Sequence, residues 1–124
     1  MRKALLALPL LLWGVQAHAQ TPVVVAPYFY QSKSYCQITS LSSATSLVTA
    51  NCAAGSVPVL TTKTIAEICV EGSAVRYLDT GTAPTASVGM PVTAGICFQY
   101  SGPLNQMQFI NQTSGATVDI TFYQ

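Results

Sequence analysis

The side chains able to do chemistry are few in this 124-residue chain: one histidine, four cysteines and four carboxylates. The histidine, His18, lies in Ala17-His18-Ala19, at the end of a segment laid out for export. Arg2 and Lys3 form a basic head, residues 4–15 an apolar run, and the two alanines an A-x-A cleavage site. The layout predicts a signal peptide over 1–19, cut before Gln20. The alternative is an uncleaved anchor, for which a run of about 12 apolar residues falls short of the ~20 that a spanning helix needs. Cleavage would remove His18 and Trp13 and leave an exported part without imidazole. On that reading Ser-His-Asp triads, Cys-His dyads and histidine-based zinc sites are excluded, because each needs an imidazole as base or ligand.

The carboxylates are Glu67, Glu71, Asp79 and Asp119. Glycoside hydrolysis uses two carboxyl groups about 5 to 9.5 Å apart, whereas Glu67 and Glu71, four residues apart on one strand face, would stand about 13 Å apart. They read as solvated charges. Asp79 opens the string Asp79-Thr80-Gly81-Thr82, which resembles the motif of aspartic proteases. In that family two such aspartates share one proton, and a homodimer could supply one from each copy. The retroviral-type enzymes place the motif near the start of the domain and follow it with a long flap hairpin. Here only about forty residues follow, and Asp-Thr-Gly is also an ordinary strand-ending turn.

The four cysteines, Cys36, Cys52, Cys69 and Cys97, would reach an oxidising compartment with the exported chain, where two disulfides are expected. Four cysteines allow three pairings. Ala66, Ile68 and Val70 share one face of a strand and leave Cys69 on the other, beside Glu67 and Glu71. Ile96, Phe98 and Tyr100 likewise leave Cys97 beside Gln99. Cys36 shares a face with Ile38, and Cys52 with Val48 and Ala50. Bonded residues should lie on the same side of their layer, so Cys36 with Cys52 and Cys69 with Cys97 is the favoured pairing. A metal site built from all four cysteines would call for close C-x-x-C pairs, which the chain lacks. The expectation is no metal and no cofactor.

The elements that would hold these side chains are strands. Residues 20–31, flanked by Pro22 and Pro27, read as an extended N-terminal arm. Its Tyr28, Phe29 and Tyr30 either cover one end of the core or form a sugar- or partner-binding platform. Residues 32–52 are rich in Ser and Thr and read as strand plus turn, with a helix around 41–50 as the alternative; 53–57 is a turn, and 58–62 a short strand candidate. From Thr64 onward the alternation is clear. Residues 65–71 and 74–79 read as two strands joined by Gly72-Ser73 into a hairpin. Residues 80–87 form a loop, 88–93 a short strand broken by Gly89 and Pro91 and so placed at an edge or a bulge, and 96–100 another strand. In 104–111, Met107 and Phe109 share one face, and Val118, Ile120 and Phe122 face inward from the last strand. The fold class is therefore all-β: an antiparallel β-sandwich or jelly-roll-like barrel, in a single domain over 32–124.

Without its first nineteen residues the chain would carry Lys33, Lys63 and Arg76 against the four carboxylates, so the formal +1 of the whole chain would become about −1. Such sparse charge offers no footprint for a phosphate backbone, so nucleic acid is not an expected partner.

Several motifs carry a likeness. Ala74-Val-Arg-Tyr, the run Asp79-Thr-Gly-Thr-Ala-Pro-Thr-Ala, then Gly89-Met90, Ala94-Gly95, Tyr100-Ser-Gly, Phe109-Ile110 and Ile120-Thr-Phe-Tyr123 span about the last sixty residues. Together they resemble small β-rich proteins of tailed bacteriophages and prophages, catalogued as virion-associated or of unknown function. The likeness implies a non-enzymatic, exported structural or decoration module, with self-association or a protein partner. A secretory signal is unusual in a virion component, which points to a domain redeployed in the envelope or outside the cell. The alternative function is a periplasmic or secreted binding or inhibitor protein. It would dock on an envelope protein or glycan through loops such as residues 80–87, whereas the module of the first reading would oligomerise through the aromatic N-terminal arm. The candidate binding surface for either is Tyr28, Phe29, Tyr30, Asp79, Thr80 and Thr82. The aspartic protease ranks third. Either of the first two readings places the product in the periplasm or outside the cell, with no stable membrane insertion after cleavage.

Overall fold

The computed structural model describes residues 30–124. The expected signal peptide and nearly all of the expected arm, Tyr28 and Phe29 included, lie outside the described residues. Nine strands follow in chain order: β1 (Ser32–Ile38), β2 (Thr45–Ser46), β3 (Ala54–Gly55), β4 (Ile65–Glu71), β5 (Val75–Leu78), β6 (Met90–Val92), β7 (Cys97–Tyr100), β8 (Gln108–Asn111) and β9 (Thr117–Tyr123). They build two antiparallel sheets, one ordered β3-β1-β9-β4-β7 and the other β2-β8-β5-β6.

Setting aside the two-residue β3, which only extends one edge, the remaining eight strands follow a single rule. The first pairs with the last, β1 with β9, and then β2 with β8, β4 with β7 and β5 with β6. This is a long antiparallel ribbon folded in half and rolled into two facing sheets, the jelly-roll arrangement. Rolling brings β9 against β4 and β8 against β5.

The period-2 pattern explains why the two sheets close on each other. Ala66, Ile68 and Val70 of β4, Val118, Ile120 and Phe122 of β9, and Cys36 and Ile38 of β1 are all buried. Val75 and Phe109 meet them from the second sheet, with Met107 at the entry to β8. The opposite face of β4 and β9 carries Glu67, Glu71, Thr117 and Asp119, none of them buried. Both disulfides expected from face matching are formed, Cys36–Cys52 and Cys69–Cys97. The first has its Cys36 end fully buried, whereas Cys97 of the second is exposed.

Three local expectations are corrected. Strands β4 and β5 do not form a hairpin. The Gly72-Ser73 turn instead carries the chain from one sheet to the other, because Ala66, Ile68 and Val70 need the opposing Val75 and Phe109 above them rather than beside them. Residues 58–62 are not a strand. The chain turns there, the Thr64 N–H donating to the Thr61 carbonyl (3.0 Å) and the Thr64 hydroxyl accepting from the Thr61 N–H (2.9 Å). Within 53–57, Ala54 and Gly55 pair with Gln37 and Cys36 as a short strand rather than a plain turn.

Gly72 is the tightest point of the crossing. It has φ +75°, and a Cβ there would sit 2.0 Å from the backbone oxygen of Gly115, in the turn between β8 and β9. Gly72→Ala is expected to lower stability by more than the ~1–2 kcal/mol that a left-handed backbone alone costs an L-residue. A neighbouring backbone must also shift. The urea midpoint of the variant checks it: an unchanged midpoint would mean that the two corner turns are not packed together.

Candidate binding surface

The side of the sandwich where β6 and β7 meet is left open. These are the edge strands of the two sheets, joined by residues 93–96, and no described strand pairs with their outer sides. Between them lies a hollow of about 410 Å³ lined by Tyr77, Met90, Val92, Thr93, Ile96 and Phe98. Tyr77 of β5 reaches across from its own sheet and stacks on Phe98 of β7, ring centroids 5.5 Å apart and 21° between planes. It also meets Tyr100 edge-on (6.4 Å, 75°) and Phe109 at a tilt (6.2 Å, 44°). This cluster ties the two sheets together at their unclosed side and forms the hollow's floor.

The rim is apolar and exposed. Met90 keeps 58% and Ile96 51% of its surface, and Val88 is exposed just before β6. Sequence alternation places Ile96 on one face with Phe98 and Tyr100, and it does lie there, but the described residues leave it 51% exposed. The Gly95 N–H donates to the Val70 carbonyl (2.7 Å), and the Val70 N–H donates to the Ile96 carbonyl (3.0 Å). Gly95 and Ile96 thus oppose Val70 alone, and with Gly95 as the extra residue Ile96 keeps the face of Phe98, lining the same hollow. Two other hollows, one beside Thr39–Ala53 and one between Leu60–Thr62 and Ser101–Asn105, have no exposed large apolar side chain on their walls.

Asp79 stands at the end of β5, where its Oδ2 accepts the Tyr100 hydroxyl at 2.6 Å. Thr80 and Thr82 are exposed on the loop that follows. That loop is pinned from several sides. The Gly81 N–H donates to the Gln106 carbonyl (3.2 Å) and the Gln108 amide to the Gly81 carbonyl (3.2 Å). Arg76 donates through Nε to the Ala86 carbonyl (3.0 Å) and through Nη1 to the Gly89 carbonyl (2.7 Å). Pro84 is buried beneath it.

Tyr30, the one described member of the aromatic triplet, lies elsewhere. It is 53% exposed and lines a shallow hollow on the outer face of the five-stranded sheet with Ile65, Glu67, Gln99 and Tyr123. The Tyr123 hydroxyl donates to Glu67 Oε2 at 3.3 Å. On the same face Asp119 Oδ1 accepts both the Tyr35 hydroxyl and the Gln37 amide, the latter at 2.9 Å. The structure thus joins Asp79, Thr80 and Thr82 to the loop above the β5 end and sets Tyr30 on a different surface. Tyr77, Met90, Ile96 and Phe98 are not singled out by sequence reasoning. Its one signal for them is Gly89 and Pro91, which mark an edge or a bulge where apolar side chains can be left uncovered.

Four phenols are held neutral above the ordinary tyrosine value. Burial and then the Asp79 carboxylate raise Tyr100 and Tyr77. Burial and then Glu67 raise Tyr123. Tyr35 is pushed up to about 12, chiefly by its hydrogen bond to Asp119 and then by desolvation. A raised phenol stabilises the fold fully below the unfolded value of ~10. That contribution is lost as pH climbs through the folded value, for Tyr35 between about 10 and about 12. Absorbance at 295 nm should therefore show these tyrosines ionising late. Asp79→Asn should bring Tyr100 down while leaving Tyr35 near 12. If Asp79→Asn leaves the Tyr100 titration unmoved, the carboxylate is not its partner in solution.

Among the described residues no group of three His, Cys, Asp or Glu gathers as metal ligands, and all four cysteines are paired. What the arrangement offers chemically is contact: an aromatic floor, an apolar rim and an unpaired strand edge. Compared with protein-family models, with curated proteins and with solved structures, the chain matches none.

Proposed function

We propose that this chain is an exported, non-enzymatic jelly-roll module that works by binding or assembly, a structural or decoration component of the kind found in phage particles. The observation that carries the reading is the open side between β6 and β7, where Met90 and Ile96 remain largely exposed over the Tyr77–Phe98 floor. Uncovered apolar side chains rimming a preformed hollow are characteristic of an interaction site. The likeness of the last sixty residues to small phage and prophage proteins favours assembly over other kinds of contact. The jelly roll also serves capsid and lectin domains, though fold alone does not fix function. Export is supported by the residue 1–19 layout and by the two disulfides, which persist in oxidising compartments.

The test is to express the full chain from its own start and fractionate the culture. Processed protein of the mass expected for cleavage after Ala19, with no free thiols, recovered in purified particles or an envelope assembly, is the expected result. Unprocessed, reduced protein in the cytoplasm, or a turnover abolished by Asp79→Asn, would overturn it. A second reading, glycan or envelope-protein docking, is favoured by the outer-face hollow. There the exposed Tyr30 stands beside the Glu67 carboxylate and the Gln99 amide. Binding to an isolated envelope glycan that Tyr30→Ala abolishes would move the assignment to it.

A further inference from the structure

Resting on the assembly reading, we propose that the open side accepts residues 23–26 (Val-Val-Val-Ala) of a second copy as an added strand against β7. In the bulge at the start of β7, Val70 is hydrogen-bonded to Gly95 and Ile96. The antiparallel alternation then makes Ile68–Phe98 and Ala66–Tyr100 the hydrogen-bonded pairs. The N–H and C=O groups of Cys97 and Gln99 consequently point away from β4, to the free edge. They are two donors and two acceptors waiting for a strand. The neighbouring edge β6 carries Pro91, which has no N–H to offer, so β7 is the edge to extend.

The donor matches this acceptor in length and chemistry. β7 has four residues, and the β-branched run Val23-Val24-Val25 with Ala26 has four, bounded by Pro22 and Pro27. The prolines lack the N–H that further pairing would require. Alternate side chains of such a strand would fall on Ile96, Phe98 and Met90. The hollow is lined by no charged side chain and the donor run contains none.

A chain's own arm cannot make this contact. Gln31 exchanges both backbone hydrogen bonds with Gln124 (3.1 Å each), so Tyr30 leaves from the line of β1. Strands β9, β4 and β7 lie between that line and the free edge. Four strand spacings amount to about 19 Å. The four peptide steps from Tyr30 back to Ala26 span at most about 14 Å. A neighbouring copy has no such tether. Each copy would then donate one arm and accept another, a head-to-tail contact that continues into open chains or closes into rings.

Sedimentation velocity on the purified exported protein, from micromolar to millimolar, reads the outcome. Two variants isolate the halves: Ile96→Lys spoils the acceptor at an exposed position, and Val23→Lys with Val25→Lys spoils the donor outside the described sheets. The wild type is expected to self-associate with concentration. Each variant alone should associate at least tenfold more weakly, with unchanged thermal melting. An equimolar mixture of the two should form dimers and nothing larger, because only one intact arm and one intact acceptor meet. A wild type that stays monomeric, including one whose arm amides are protected within a monomer, overturns the proposal. So does association that neither variant weakens, or a mixture that fails to dimerise. Protein found in particles while monomeric in solution would remove this contact yet leave the assembly role standing; absence from particles despite arm-dependent chains would do the reverse.

Discussion

Phe109→Ala is expected to cost about 3–5 kcal/mol, the range for emptying a fully buried aromatic site. Phe109 is wholly inaccessible, faces Thr45 on one neighbouring strand and Tyr77 on the other, and backs the ring that spans to Phe98. Its loss therefore removes packing between the sheets and support beneath the hollow at the same site. A domain of this size has only ~5–15 kcal/mol in hand, so the variant should lose about a third or more of its stability and unfold at a markedly lower urea concentration. The control is Met90→Ala on the exposed rim, which should change stability by no more than about 0.5 kcal/mol. Urea melts of the two variants check this. Equal effects would mean that the core does not run through Phe109.

The second large effect concerns the disulfides, and the two bridges should differ. Their sequence separations are 16 and 28 residues. Loop closure alone puts each at roughly 3 to 4 kcal/mol. For a domain of this length that is a drop of roughly 15 °C or more in melting temperature. Their accessibility is unequal. Cys36 is fully buried opposite Ile120, whereas Cys97 is exposed and faces Cys69 across β4 and β7 on the sheet's outer side. Graded reductant with thiol counting by mass should open Cys69–Cys97 first and leave Cys36–Cys52 intact until the fold opens. Simultaneous loss of both, or Cys36–Cys52 first, would contradict the burial argument. Cys36→Ala with Cys52→Ala should also be the more damaging pair, because it adds an unfilled space in the core to the lost loop closure.

The residues that sequence alone determined are those governed by local alternation. In β4 and β9 every second side chain is apolar over seven residues, so the buried sets Ala66, Ile68, Val70 and Val118, Ile120, Phe122 follow without knowing what they face. The Cys69–Cys97 pairing follows from the same rule, since a bond across a layer needs both ends on one side of it. Cys52 instead ends a 3-10 turn over Thr49–Asn51 beside exposed Val48 and Ala50, so the strand face expected for it is corrected although its bond to Cys36 forms. Pro91 narrowed its strand to an edge or a bulge for an equally local reason, the missing donor, and the sheet order makes it an edge. Tertiary structure alone decided what lies next to what. Nothing within 65–79 distinguishes a hairpin from a crossing between sheets. The choice rests on β4 finding β7 and β9, strands that begin 26 or more residues after it ends. Ile96 kept the face its pattern assigns yet stayed exposed at the edge, and the Tyr77 ring met Phe98 and Tyr100 only because the ribbon rolled. Alternation assigns a side chain to a face. Only the pairing of distant strands decides whether that face is covered, and among the described residues nothing covers it between β6 and β7.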